Sequence, residues 1–170
     1  MAETIQHHPL MFTFRDMISG EGFLAGITCS GRALMLHEDD KWWMYGVRPG
    51  AIADSGDTAP EAFFHFRNRF KEVLFDIASD FKTFEEFKLG VENFFGERSA
   101  TDEDEQRWEE AVKAIRSGQL TPEAPFSQLK RQAPEERPTG ISVERLDGEN
   151  KRFMPSDNVP DTCYALPLAA

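Results

Sequence analysis

The sequence predicts an α+β fold: an antiparallel β-sheet (a meander) packed by a long phenylalanine-rich helix and two further helices, with a β-hairpin near the C-terminus. Two patterns lead to this prediction. Residues 1–58 contain short segments of alternating apolar residues separated by turn residues, which is typical of strands. In residues 59–118 the apolar residues instead recur at intervals of three and four, which is typical of helices.

Apolar alternation marks four strand segments, at residues 10–14, 23–29, 33–36 and 41–47. Turn residues separate them, and we interpret Ser30–Gly31 and Asp39–Asp40 as two of these turns. Ile52 marks a further short strand. Because consecutive short strands joined by tight turns pair with their neighbours, the segments predict an antiparallel arrangement.

Thr58 is predicted to begin a helix over residues 59–80. Thr58 and Glu61 have the spacing of a capping box, and Pro60 falls in the first turn, where its missing N–H costs nothing. One apolar stripe consists of Phe63, Phe66, Phe70, Leu74 and Ile77. Phe64 and Phe75 lie on a second face, so we expect this helix to contact both the sheet and another helix.

Two further helices are expected before residue 118. Thr83 and Glu86 form another capping box, and Gly96 stands where that helix should end. A third helix should begin near Thr101 and end at Gly118. The apolar residues expected on its buried side are Trp108, Ala111, Val112 and Ile115.

The sequence changes character after residue 118. Proline and polar residues dominate 119–139, which indicates a strap rather than a packed element. Residues 141–146 alternate again, Asp147–Gly148 is a hairpin turn, and residues 149–154 are expected to return and add to the main sheet. We therefore predict a core domain over 1–118, with the strap, hairpin and tail of 119–170 packing on the same domain.

Charge and composition narrow the classes of partner. The net charge is −11 and the isoelectric point is near 4.8, which argues against binding to the phosphates of nucleic acid. This acidity favours either a basic protein partner or simply high solubility. Two cysteines are too few for a disulfide framework, and neither a signal peptide nor a membrane-spanning stretch is evident, so a cytoplasmic location is expected.

No catalytic motif is present, and we predict no catalytic residue, cofactor or metal site. The best carboxylate cluster is the sequence from His37 to Asp40. We favour its interpretation as a polar turn over the alternatives, which are a divalent-cation site and a general acid–base pair. His7 and His8 are interpreted as a mobile polar start, and Cys29 as a core residue. The pair Trp42–Trp43 is different, because neighbours on a strand point to opposite faces and one indole can therefore anchor a partner.

Residues 32–78 resemble the N-terminal domain of HicB-like antitoxins. The pattern is a strand, an acidic turn, an aromatic strand, a Pro-Gly turn and a Gly-Asp-Thr segment that enters a helix. The matching residues are Glu38, Asp39, Trp42, Val47, Pro49, Gly50, Gly56, Asp57, Thr58, Glu61 and Ala62. The resemblance implies a partially degraded RNase H-like fold, in which a three-stranded antiparallel sheet packs a helix on one face and a further strand follows, here residues 141–146.

The resemblance also implies a function, since HicB-like antitoxins bind a small basic toxin RNase and cover its active site. Family members commonly end in a DNA-binding segment, but residues 101–170 show no such signature, so direct DNA binding is not expected. A non-enzymatic, HicB-like protein-binding module is the leading hypothesis. The alternatives are a metal-dependent nuclease-like enzyme using carboxylates of Glu38, Asp39, Asp40 or Asp54, and a structural protein that forms homo-oligomers.

The stretch from Arg48 to Glu61 is interpreted first as a hinge between sheet and helix. The residues assigned to the hinge and its cap are Pro49, Gly50, Gly56, Thr58 and Glu61. Partner binding would use the residues that flank this hinge. The hypothesised partner-binding residues are Trp42, Trp43, Arg48, Asp54 and Asp57.

Overall fold

The computed structural model describes residues 5–50, 52–96, 102–118 and 140–147, and the backbone of residues 163–165. The strands are β1 (His8–Gly20), β2 (Phe23–Glu38), β3 (Lys41–Arg48), β4 (Ala53–Gly56), β5 (Gly140–Arg145) and β6 (Cys163–Ala165). The helices are α1 (Ala59–Asp80), α2 (Phe84–Gly96) and α3 (Asp102–Arg116). The α+β prediction is confirmed.

The long strand β2 organises an antiparallel sheet. On one edge, residues 23–35 of β2 pair with the whole of β1. Its other edge is shared, because residues 32–38 pair with β3 and residues 25–30 pair with β5. β4 extends the sheet beyond β3, and β6 pairs with residues 10–12 of β1. The strand predicted at 141–146 therefore joins the main sheet, whereas the strap at 119–139 and the returning strand at 149–154 lie outside the described residues.

The interpretation of Ser30–Gly31 as a turn is wrong, since both residues lie inside β2 and pair with Thr13 and Phe12 of β1. A Cβ atom on Gly31 would lie 2.4 Å from the Phe12 ring and 2.6 Å from the carbonyl oxygen of Arg48. Glycine is thus required by the close approach of a side chain and a backbone. The irregularity falls one residue later, where the register with β3 shifts between Arg32 and Ala33.

The phenylalanine-rich helix α1 packs on one face of the sheet, with the bounds predicted from its caps. Its fully buried Phe70 ring lies edge-on to Phe14 of β1, with the ring centroids 4.6 Å apart. The Phe66 ring packs in the same way on Phe12, at 5.2 Å. Edge-to-face pairs of this kind add roughly 0.5–1.5 kcal/mol to the burial of the rings themselves.

Helix α1 contacts both the sheet and another helix as predicted, but Phe64 and Phe75, the residues on which that prediction was based, are 58% and 40% exposed. The helix α2 approaches α1 elsewhere, at Gly90. A Cβ atom on Gly90 would lie 2.6 Å from the Phe81 ring and 3.1 Å from the side chain of Ile77. The contact between the two helices therefore depends on a small residue in α2, and within the described part of the chain the Phe64 side chain stays exposed.

The remaining helices agree with their predicted bounds. The Thr83 hydroxyl accepts a hydrogen bond from the Glu86 amide at 3.2 Å, as the capping box requires. Helix α3 covers part of the opposite face of the sheet, where Trp108, Ala111 and Val112 form a second core cluster. The sheet contributes Met11, Leu34 and Val47 to this cluster.

His8 and Cys29 test the predictions about the start of the chain and about the core. His8 begins β1 and is buried, so the interpretation of His7–His8 as a mobile polar end is wrong for His8. Cys29 is a core residue as predicted, and burial raises the pKa of its thiol. None of the helices in the described part of the chain is long and apolar enough to cross a membrane.

Candidate partner-binding surface

The two tryptophans of β3 lie on opposite faces of the sheet, as the alternation of strand residues predicts. Trp42 packs on the main core below α1, and its ring centroid is 4.9 Å from that of His37. Trp43 points to the α3 side and stacks on Tyr45, with centroids 6.2 Å apart and an interplanar angle of 18°. Both indoles are half-buried, so each is partly accessible to solvent.

The acidic turn between β2 and β3 consists of Asp39 and Asp40 at its tip, with Glu38 before it. Asp39 and Asp40 have φ values of 52° and 59°, in the left-handed region that aspartate tolerates better than most residues. Two such residues in succession give the two-residue turn that matches the twist of a hairpin. The two aspartates therefore have a structural role, and all three carboxylates are exposed.

The segment after β3 is held by backbone contacts. The Gly46 amide donates to the Ile52 carbonyl at 2.7 Å, which closes a loop containing the buried Pro49 and Gly50; the Arg48–Pro49 peptide bond is cis. Gly56 is needed because a Cβ atom there would lie 2.6 Å from the amide nitrogen of Ala62.

The helix cap follows at once. The Thr58 hydroxyl accepts from the Glu61 amide at 3.2 Å, which confirms the predicted cap. The Glu61 carboxylate accepts from the Asp57 amide at 2.9 Å, one residue earlier than the capping box has it. The stretch thus fixes α1 against the sheet edge.

The two aspartates hypothesised to bind a partner make contacts within the protein. The Asp54 carboxylate accepts from the Ser55 amide at 2.8 Å and pairs with Arg69 of α1 at 3.3 Å. The Asp57 side chain is 78% exposed and pairs with Lys41 at 3.2 Å. Exposed ion pairs of this kind contribute little to stability and are easily exchanged. Because its side chain is largely exposed, Asp57 is accessible to a partner.

The structure does not bring the five hypothesised partner-binding residues into one site. Trp42 and Asp54 face the α1 side, whereas Trp43 faces the α3 side. Arg48 lies at the end of β3 as the cross-strand neighbour of Arg32. Trp43 stacks on Tyr45, which lines a cavity.

That cavity, which we call the β3–α3 groove, has a volume of about 360 Å³. It is lined by Ile5, His7, Leu34, Leu36, Glu38, Tyr45, Asp104 and Arg107. Leu34 and Leu36 are buried and form an apolar floor, and Tyr45, 37% exposed, forms one wall. The stacked Trp43 ring extends this wall along β3.

The ionisable groups of the groove give it an acidic character. Glu38 and Asp104 supply two carboxylates against the single guanidinium of Arg107, which lies 3.5 Å from Asp104 and 3.9 Å from Glu103. Burial, helped by the charge of Arg107, lowers the pKa of His7, so its imidazole is neutral at pH 7. Burial and the Glu38 charge raise the pKa of Tyr45, which keeps its hydroxyl protonated.

The sequence pattern accounts for Tyr45 lying on the face of Trp43, but it did not predict the groove. The alternation of β3 residues is sufficient to place Tyr45 on that face, since strand residues two apart share a face. Asp104 and Arg107 reach the groove only because α3 docks on that face, and the three-to-four spacing in α3 gives no information about which face of the sheet it covers.

Of the four carboxylates considered for a nuclease-like site, those of Glu38, Asp39 and Asp40 are consecutive, and that of Asp54 lies apart on β4. Glu38 borders the groove, while Asp54 is paired with Arg69 on the α1 side. Within residues 5–50, 52–96, 102–118 and 140–147, no group of three or more His, Cys, Asp or Glu side chains is arranged to hold a metal ion. Comparison with protein-family models, with curated proteins and with solved structures gives no match.

Proposed function

We propose that this protein is a non-enzymatic, HicB-like protein-binding module that binds a small basic protein, with a toxin RNase as the partner that the resemblance suggests. The observation that carries the proposal is the β3–α3 groove, which combines an apolar floor, an aromatic wall and two carboxylates. Aromatic residues are enriched at binding hot spots, and carboxylates beside them select basic side chains.

The charge of the whole chain supports a basic partner. A net charge of −11 attracts a basic protein over a distance of about a Debye length and raises its association rate. The exposed acidic turn at Asp39 and Asp40 lies at the start of β3, next to Glu38, so it extends the acidic surface beyond the groove. The proposed setting is the cytoplasm, in keeping with the two cysteines of the chain.

The order of elements also supports the HicB-like part of the proposal. Strands β2, β3 and β4 are consecutive and antiparallel, and α1 follows β4 after two residues. Two of the residues that give the resemblance have clear structural roles in this arrangement. Gly56 allows the close approach of β4 to α1, and Thr58 caps that helix.

The proposal is tested by affinity purification of the tagged protein from its own host, with three versions side by side. The wild type should retain a basic protein in equimolar amount. The variant Tyr45→Ala should lose it, because the aromatic wall of the groove is removed. The variant Phe64→Ala, which removes a still more exposed aromatic side chain from α1, should retain it.

Binding should then be measured with purified components at several salt concentrations. An affinity that weakens as salt increases is expected for a charge-complementary interface. A partner that is acidic, or one that Tyr45→Ala retains and Phe64→Ala loses, would contradict the proposal.

A further inference from the structure

The β3–α3 groove changes in polarity from its floor to its mouth. Leu34 and Leu36 at the floor are only 3% and 5% exposed. Tyr45 is the neighbour of Leu34 on β3, and the lining residues also include the carboxylates of Glu38 at the end of β2 and of Asp104 in α3. A volume of about 360 Å³ is that of roughly a dozen water molecules at about 30 Å³ each. This space suits a single long side chain with a polar end.

The charges of the groove favour a cation at that end. Two carboxylates face one guanidinium, and His7 is neutral, so the lining carries a net charge of −1 at pH 7. Arg107 pairs weakly with the carboxylates of Asp104 and Glu103. The two contacts are 3.5 and 3.9 Å long, and the Arg107 side chain is 53% exposed. Such a side chain moves aside at little cost when a second cation enters.

We propose that the β3–α3 groove is a receptor for one lysine or arginine side chain of the basic partner. The methylene groups would lie on Leu34 and Leu36, and the cation would lie against the Tyr45 ring within reach of Glu38. Arginine suits the site better than lysine, because its planar guanidinium stacks on an aromatic ring and bonds a carboxylate with two parallel hydrogen bonds. This inference rests on the proposed function and names the chemistry that its site recognises.

The test uses small probes and the full chain, so it does not depend on a partner protein. Nα-acetyl-arginine amide, Nα-acetyl-lysine amide and the neutral Nα-acetyl-norleucine amide are titrated into ¹⁵N-labelled protein, and amide chemical shifts are followed. The arginine probe should shift resonances of Leu36, Tyr45 and Asp104, with the lysine probe weaker and the norleucine probe at least tenfold weaker. Equal binding of the norleucine probe, or the absence of shifts at these residues, would overturn the proposal.

Matched variants locate the binding. Glu38→Gln keeps the size of an exposed side chain and removes its charge, so the fold is not at risk, and it should weaken the arginine probe about tenfold. Glu72→Gln makes the same change at an exposed position on α1 and should have no effect. Equal weakening by the two variants would show a general charge effect and would refute the groove as the receptor.

The two proposals fail in different ways. If the arginine probe binds the groove but no basic protein is retained from the host, the receptor stands and the protein-binding module is refuted. If a basic partner is retained and its affinity is unchanged by Glu38→Gln, the module stands and the receptor is refuted.

Discussion

Replacing Phe70 with alanine should lower the free energy of unfolding by about 4 kcal/mol. Its side chain is fully buried, and its ring packs on Phe14 at 4.6 Å, on Phe12 at 6.4 Å and on Phe94 of α2 at 6.4 Å. A buried Phe→Ala change costs about 3–5 kcal/mol, depending on how far the site can collapse. Because this ring joins β1, α1 and α2, three elements would have to shift together to fill the cavity, which places the cost in the upper half of the range.

The assay is urea unfolding followed by circular dichroism and by tryptophan fluorescence. With an m-value of about 2 kcal/mol per M, a loss of 4 kcal/mol lowers the midpoint by about 2 M. Phe64→Ala is the control on the same helix. Phe64 is 58% exposed, so its truncation should change stability by no more than about 0.5 kcal/mol. Equal costs at the two positions, or a cost below about 1.5 kcal/mol at Phe70, would refute the assignment of the core face of α1.

Four further predictions concern the cap, a tight contact and two ionisable groups. Thr58→Ala should cost about 1 kcal/mol in thermal melts, whereas Thr58→Ser, which keeps the hydroxyl acceptor, should stay close to wild type. Gly56→Ala should cost about 2 kcal/mol, because the new methyl group meets the backbone of α1 at 2.6 Å, and Gly140→Ala, with nothing within 4 Å, should be neutral. Burial alone would raise the pKa of Asp16, but hydrogen bonds and basic side chains of α1 outweigh it and hold that pKa below 3.8. The stabilisation is therefore present above pH 3.8 and lost as the pH falls through the folded pKa, so Asp16→Asn should cost about 1 kcal/mol at pH 7 and progressively less as the pH falls below 3.8 in urea titrations. The lowered pKa of His7 means that it gains its proton only below pH 6.5, so binding of the arginine probe should hold from pH 8 to 7 and weaken toward pH 5, a dependence that His7→Gln should remove.

The helices were predictable because their signals are local. A hydroxyl at Thr58 or Thr83 and a glutamate three residues later specify a helix start without reference to the rest of the chain. The bounds of α1 and the buried side of α3 followed from such signals and from the spacing of apolar residues.

The predictions failed where the environment of a residue is set by a contact with a residue distant in the sequence. Gly31 looks like a turn residue in the sequence, but it is glycine because the Phe12 ring of another strand occupies the space of its side chain. Phe64 and Phe75 look like a packing face, but α2 docks at Ile77 and Phe81 instead. Neither contact can be derived from the residues of one element.

The candidate site divides in the same way. The alternation of β3 predicts that Trp42 and Trp43 separate and that Tyr45 shares the face of Trp43. The groove itself depends on the placement of α3, which brings Asp104 beside that face from a segment about sixty residues away. The sequence distance explains why the carboxylates of the groove were not grouped in advance.

The two faces of the sheet divide stability and binding between them. The fully buried aromatic rings, including Phe12, Phe66 and Phe70, lie on the face covered by α1, so the largest losses on truncation are expected there. Helix α3 leaves room on the opposite face, where the groove is bordered by exposed charges that contribute little to stability. Substitutions at Glu38 or Tyr45 can therefore change the chemistry of recognition without a large cost to the fold. The same separation makes the groove testable through its exposed charge, because Glu38→Gln is expected to weaken binding without a loss of stability.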